Sequence, residues 1–143
     1  MVGSLHMRAD IHSRYGGNPR AGICPTRSGV VLIFSDPDSG RPFGYNSHDY
    51  LQDGVYHYTG EGRVGDQQLI RGNRALVDSS KTLLLFSRVD LKTWRFVGEV
   101  SLADPAFNVA QAPDQLGQAR QVLVFRFKEK NADFGLLGTS CLD

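Results

Sequence analysis

Two cysteines, Cys24 and Cys141, are all the thiols in 143 residues, and they stand far apart with no CxxC pair. There is no basis for a disulfide framework or a thiolate zinc site, and a reducing, cytoplasmic compartment is expected. No stretch approaches eighteen consecutive apolar residues, and no basic segment precedes an apolar core, which argues against a membrane-spanning helix and a secretory signal. Charge of one sign is also missing: sixteen Lys and Arg face fifteen Asp and Glu, for a formal net charge of +1. Affinity for a polyanion must therefore come from a local patch rather than from overall basicity. Histidines are few (His6, His12, His48, His57) and confined to the first half. They do not form the H-x-E and P-C-x-x-C ligand set of a zinc deaminase, and they do not cluster as a nuclease metal site would require. No G-x-S-x-G elbow marks a nucleophilic serine. No metal, cofactor or catalytic residue is expected.

What the chain does have is concentrated between Phe43 and Leu76. Sixteen residues from Phe43 to Tyr58 hold Tyr45, Tyr50, Tyr56 and Tyr58, with His48, His57, Asp49 and Asp53 among them, and a glycine-rich turn follows from Gly60 to Gly65. Flat aromatic faces, a hydrogen-bond acceptor and close backbone approach are the ingredients of a pocket for one extruded nucleobase. Arginine outnumbers lysine twelve to four, a bias suited to planar phosphate or carboxylate recognition, although a GC-rich genome produces the same bias.

The length suits one domain with a substantial core. The leading MVGSLHM, with a second methionine at Met7, reads as an expression-vector remnant, leaving residues 8–143 as the domain. From Arg8 to Arg27 the chain is polar and centred on Gly16-Gly17-Asn18-Pro19, which predicts an exposed loop. Gly29 to Phe34 is a short, β-branched apolar run closed by Ser35-Asp36-Pro37-Asp38-Ser39-Gly40, the pattern of a buried strand and turn. Further strands are expected near Val55–Thr59, Thr82–Ser87, Trp94–Leu102 and Gln121–Lys128. Asn73 is placed to cap a short helix through Arg74-Ala75-Leu76-Val77, while Ala103 to Gly117, with Pro105 and Pro113, reads as loop with at most one helical turn. The expected architecture is mainly β, an α+β fold with one curved, barrel-like sheet and one or two short helices.

Three pieces, Tyr58-Thr59-Gly60, Asp66-Gln67-Gln68-Leu69 and Asn73-Arg74-Ala75-Leu76, together resemble the signature of the SRA (SET- and RING-associated, or YDG) domain, a member of the PUA superfamily. Ala21-Gly22-Ile23 resembles the family's first loop. The nearest flavour is the form fused to HNH nucleases in bacterial, McrA-like modification-dependent restriction enzymes. The resemblance implies a non-catalytic reader of double-stranded DNA carrying 5-methylcytosine or a related modified cytosine, feeding a nuclease domain elsewhere in a parent protein and acting in the cytoplasm on the nucleoid.

On that resemblance the base pocket comprises Tyr45, Asp49, Tyr58, Thr59 and Gly60. Tyr45 and Tyr58 would sandwich the base, each stack contributing about 1–3 kcal/mol against the few kcal/mol that extrusion costs. Asp49 would accept the exocyclic amine of cytosine, where thymine presents a repelling carbonyl. A buried methyl contributes only about 0.8 kcal/mol by transfer, so preference over plain cytosine should be modest. Pro19 and Arg20 would stand in the first loop, where the family fills the gap left by the base. Groove and phosphate contacts would come from Arg14, Pro19, Arg20, Arg27, Arg63, Arg71 and Arg74. Only Glu61-Gly62-Arg63-Val64-Gly65 lies between YTG and DQ, where animal members carry a long basic insertion, so strand-selective reading is not implied. Two other classes compete: a binder of modified or single-stranded RNA on a PUA-like barrel, and a base-modifying enzyme with Asp49 as general base.

Overall fold

The computed structural model describes residues 2–36 and 50–130. The architecture is mainly β, as expected. One sheet holds β1 (Leu5–Met7), β2 (Ile23–Pro25), β3 (Val30–Ser35), β4 (Tyr50–Gln52), β5 (Val55–Thr59), β6 (Thr82–Arg88), β7 (Thr93–Pro113) and β8 (Ala119–Glu129), with helices α1 (Arg8–Tyr15) and α2 (Arg71–Leu76) between strands. The strand order is β2-β3-β6-β7-β8-β5-β4, with β1 added alongside β7. Every pairing is antiparallel except β3 with β6, which run parallel from Val30 opposite Thr82 to Ser35 opposite Ser87.

β3 shows why its sequence is an unbroken apolar run. Val31 and Ile33 enter a core with Tyr56, Tyr58, Leu83, Leu85, Phe125 and Phe127. Leu32 and Phe34, on the other face, join Ile11, Cys24, Phe86 and Trp94. A strand covered on both faces has no polar side to alternate with. β6 is built the same way, with Leu83 and Leu85 in the first cluster and Phe86 in the second.

The leading residues pair into the sheet: Leu5 lies opposite Arg95 and Met7 opposite Thr93, and the Gly3 N–H donates to the Phe96 carbonyl at 2.8 Å. Three expectations are corrected. The polar stretch after Met7 opens as α1 rather than as a loop; Ile11 is its one buried residue, so the apolar periodicity that marks a helix is absent from its sequence. Asn73 is not a cap but lies inside α2, whose N-cap is Ile70. The stretch after Leu102 is strand, since β7 continues to Pro113. Its prolines are accommodated because the register against β8 shifts between Leu102 and Phe107, leaving Pro105 in the bulge, and Pro113 is the last residue of the strand.

Candidate nucleic-acid interface

At the end of β5 the chain turns into a long segment, residues 60–70, that runs across the sheet before α2. Polar side chains hold it there. The Gly60 N–H donates to the Leu123 carbonyl at 2.7 Å, and a Cβ on Gly60 would stand 2.7 Å from Asn73 Oδ1 and 2.9 Å from the Phe125 ring, so only glycine fits. Gln67 is buried: its Nε2 donates to the Gly60 carbonyl at 2.7 Å, and its Oε1 accepts the Leu123 N–H at 2.9 Å. Asp66 accepts the Gln121 N–H at 2.7 Å, docking the same segment on β8.

Asn73, 2% exposed, uses both ends of its amide. Oδ1 accepts the Glu61 N–H, while Nδ2 donates to the carbonyls of Glu61 and Gln68, all at 2.9 Å. Glu61 in turn accepts the Gly72 N–H at 2.9 Å, and burial pushes its carboxyl above the usual range against the opposing pull of that bond and of Arg71. From the other side, buried Arg120 donates through Nη1 to the carbonyls of Gly62 and Gly65, each at 2.8 Å. Asp114, in the β7–β8 turn, accepts from the N–H groups of Leu116, Gln118 and Gly65. The bonds from Gln118 and Gly65 hold its carboxyl below the usual range.

Fixed in this way, the segment leaves Arg63, Val64 and Ile70 exposed, Val64 at 60% and Ile70 at 51%, and Arg71 and Arg74 of α2 are exposed next to it. Two clefts flank it. The larger, about 1080 Å³, lies between Asn18, Ala21, Ile23 and Pro25 on one side and Arg71, Arg74 and Lys81 on the other. The smaller, about 470 Å³, is lined by Arg63, Val64, Ile70 and Arg71 among others. Arg71 borders both, and its backbone sits at φ 51°, a left-handed conformation that a non-glycine residue adopts at a cost of about 1–3 kcal/mol.

Tyr45 and Asp49 lie outside the described residues. Tyr58 is 5% exposed; its ring centroid is 5.9 Å from that of Phe127, and its hydroxyl donates to the Phe34 carbonyl at 3.2 Å. Tyr56 is buried beside it, its hydroxyl bonded to Ser35 Oγ. Thr59 and Gly60 are buried as well. Of the arginines, Arg71 and Arg74 meet in the larger cleft, and Arg63 lines the smaller. Pro19 and Arg20 are exposed between the cleft-lining residues Asn18 and Ala21. Arg27 is exposed in the β2–β3 turn, and Arg14 lines a separate cavity of about 110 Å³ against Leu84, Phe86 and Phe96. The sequence reading missed Lys81 and the supporting roles of Glu61, Gln67 and Arg120; the DQ and N of the signature were visible, but nothing in their spacing says what they bind.

A family model, the ScoMcrA-like SRA domain, matches residues 2–133. The chain belongs to this SRA-domain family. Among solved structures, the SRA domain shares its fold with the type IV phosphorothioation-dependent restriction endonuclease ScoMcrA (TM-score 0.72, 20% identity, 96% of this chain and 29% of that one). It also matches the sulfur-binding and SRA domains of ScoMcrA complexed with phosphorothioated DNA (0.70, 22%, 90% and 39%). The SUVH5 SRA domain in complex with hemi-methylated CG DNA superposes at 0.63 with 20% identity, over 92% of this chain and 90% of that one. The chain thus spans well under half of either ScoMcrA chain. No curated protein matches it. As an SRA domain the chain is a DNA-recognition module, in line with the family resemblance read from the sequence. Within it, the signature residues Gly60, Gln67 and Asn73 act as the frame that fixes the 60–70 segment.

Proposed function

We propose that this SRA domain reads modified cytosine in double-stranded DNA by base extrusion, as the recognition part of a cytoplasmic, nucleoid-acting modification-dependent restriction endonuclease. The observation that carries the reading is the meeting, beyond the Tyr58-Thr59 end of β5, of the fixed 60–70 segment with a cleft lined by Arg71, Arg74 and Lys81. Those three cations face Glu61 and Asp78 in the same lining and outnumber them, which leaves a local excess of positive charge suited to a phosphate where the molecule as a whole carries only +1. The exposed Val64 and Ile70 line the smaller cleft, which Arg71 also borders.

Tyr45, Tyr58 and Asp49 are the proposed base-binding set. Tyr58, at 5% exposure, accepts a stacked base only when its present neighbours move apart, so recognition includes an opening step. Stacking, worth about 1–3 kcal/mol per base, then offsets part of that step and of unstacking. Because Tyr58 packs against Phe127 within the core, its replacement by alanine would leave a cavity as well as remove a stack. Asp49→Asn is the cleaner probe.

The test is a fluorescence titration of the domain with duplexes that differ only in cytosine, 5-methylcytosine, 5-hydroxymethylcytosine or a phosphorothioate link, with a matching RNA as competitor. The expected order places a C5-modified duplex first, by roughly tenfold over cytosine, and Asp49→Asn should shrink that margin. Equal binding to all duplexes would end the modified-base reading; preference for the phosphorothioate alone would move recognition from base to backbone, and RNA preference would favour the RNA-binding alternative.

A further inference from the structure

The loop that carries Pro19 and Arg20 rests on a half-buried cation that the DNA reading has not used. Arg8, the first residue of α1, is half-buried, with its Cζ 3.8 Å from the Phe34 ring centroid and 5.6 Å from that of Trp94. Its Nε donates to His12 Nε2 at 3.0 Å, and its Nη2 donates to the Ala21 carbonyl and toward Cys24 Sγ at 3.5 Å. Among the described residues it has no acidic partner. A half-buried cation without an anion is costly, and an apolar side chain would fill the same slot over Phe34 without that cost. The carbonyl it holds belongs to a tight turn: Asn18 Oδ1 accepts the Arg20 N–H at 2.9 Å, the Asn18 carbonyl accepts the Ala21 N–H at 3.2 Å, and the neutral Cys24 thiol lies 3.1 Å from the carbonyls of both Asn18 and Ala21. The next residue, Gly22, abuts the Tyr58 hydroxyl, which a Cβ there would approach to 3.0 Å.

We infer that Arg8 is the positioning residue for the 18–21 turn, and through it for the engagement of Arg20 with DNA. This rests on the DNA-binding reading above. The guanidinium both stacks on an aromatic face and reaches a carbonyl from its edge, a combination lysine does not reproduce. Arg8→Lys keeps the charge and Arg8→Met keeps the packing without a donor. In both, amide exchange at Ala21, followed by NMR, should rise while the amides of β6 and β8 keep their protection. Each variant should bind modified duplex about tenfold more weakly, and combining either with Arg20→Ala should cost little beyond Arg20→Ala alone, since both act through one turn. Unchanged exchange at Ala21, or losses that simply add, would overturn the inference. Faster exchange together with a parent protein that prefers no modified duplex would uphold the seat for the turn and remove the DNA reading instead.

Discussion

Asn73 shows best what a single side chain contributes. Its amide answers one N–H and two carbonyls in a site with 2% exposure, so Asn73→Ala leaves three backbone groups unpaired out of reach of water, a loss of roughly 2–4 kcal/mol in urea unfolding. Asn73→Asp separates hydrogen bonding from volume. It keeps the acceptor for the Glu61 N–H but sets a carboxylate oxygen against the carbonyls of Glu61 and Gln68, so it should cost at least as much as alanine. A near-neutral Asn73→Asp would show that the amide is not doing this work. The sequence displayed Asn73 clearly and suggested a helix cap. The error is understandable in physical terms, because asparagine ahead of a short helical run is most often a cap, and its true partner, Glu61, is fixed only once β5 and α2 are side by side.

At the level of elements, the 60–70 segment is held by two carboxyls whose proton affinities are shifted in opposite directions. Asp114 ionises more readily in the folded chain, so the stability it confers is complete above its unfolded value, about 3.9, and is lost as pH falls through its lower folded value. Glu61 is the reverse: its folded value is raised, so its contribution is complete below about 4.3 and is lost as pH climbs through the folded value. Asp114→Asn should therefore flatten the acid limb of a stability profile, and Glu61→Gln should raise stability at neutral pH while changing little at pH 3. An unaltered profile in either variant would show that carboxyl to be idle. Element boundaries were readable where burial dictated them. β3 announces itself through residues buried on both faces, and β5 was delimited to the residue. α1 was not readable because one buried isoleucine makes no stripe, and the far half of β7 was hidden by prolines that a bulge and a strand end tolerate.

For the molecule as a whole, the segment set aside at the N-terminus is part of the sheet, and the family match begins at residue 2. Leu5 and Met7 remain about half exposed, so β1 contributes backbone pairing more than burial. Removing residues 1–7 should lower stability by roughly 1–2 kcal/mol, a shift of a few degrees in thermal midpoint. An identical midpoint would return these residues to the status of an appendage. The same deletion should loosen α1, which begins at Arg8 directly after the strand.

The parallel pairing of β3 with β6 also bears on how the chain comes to be folded. Val30 acquires its neighbour Thr82 only after every residue between them has been made, and until then β3 has only the three residues of β2 beside it. At about 5–20 residues per second on the ribosome, a strand destined for burial on both faces waits several seconds with one edge uncovered, which makes this protein a candidate client for chaperones during synthesis and a slow folder governed by distant contacts.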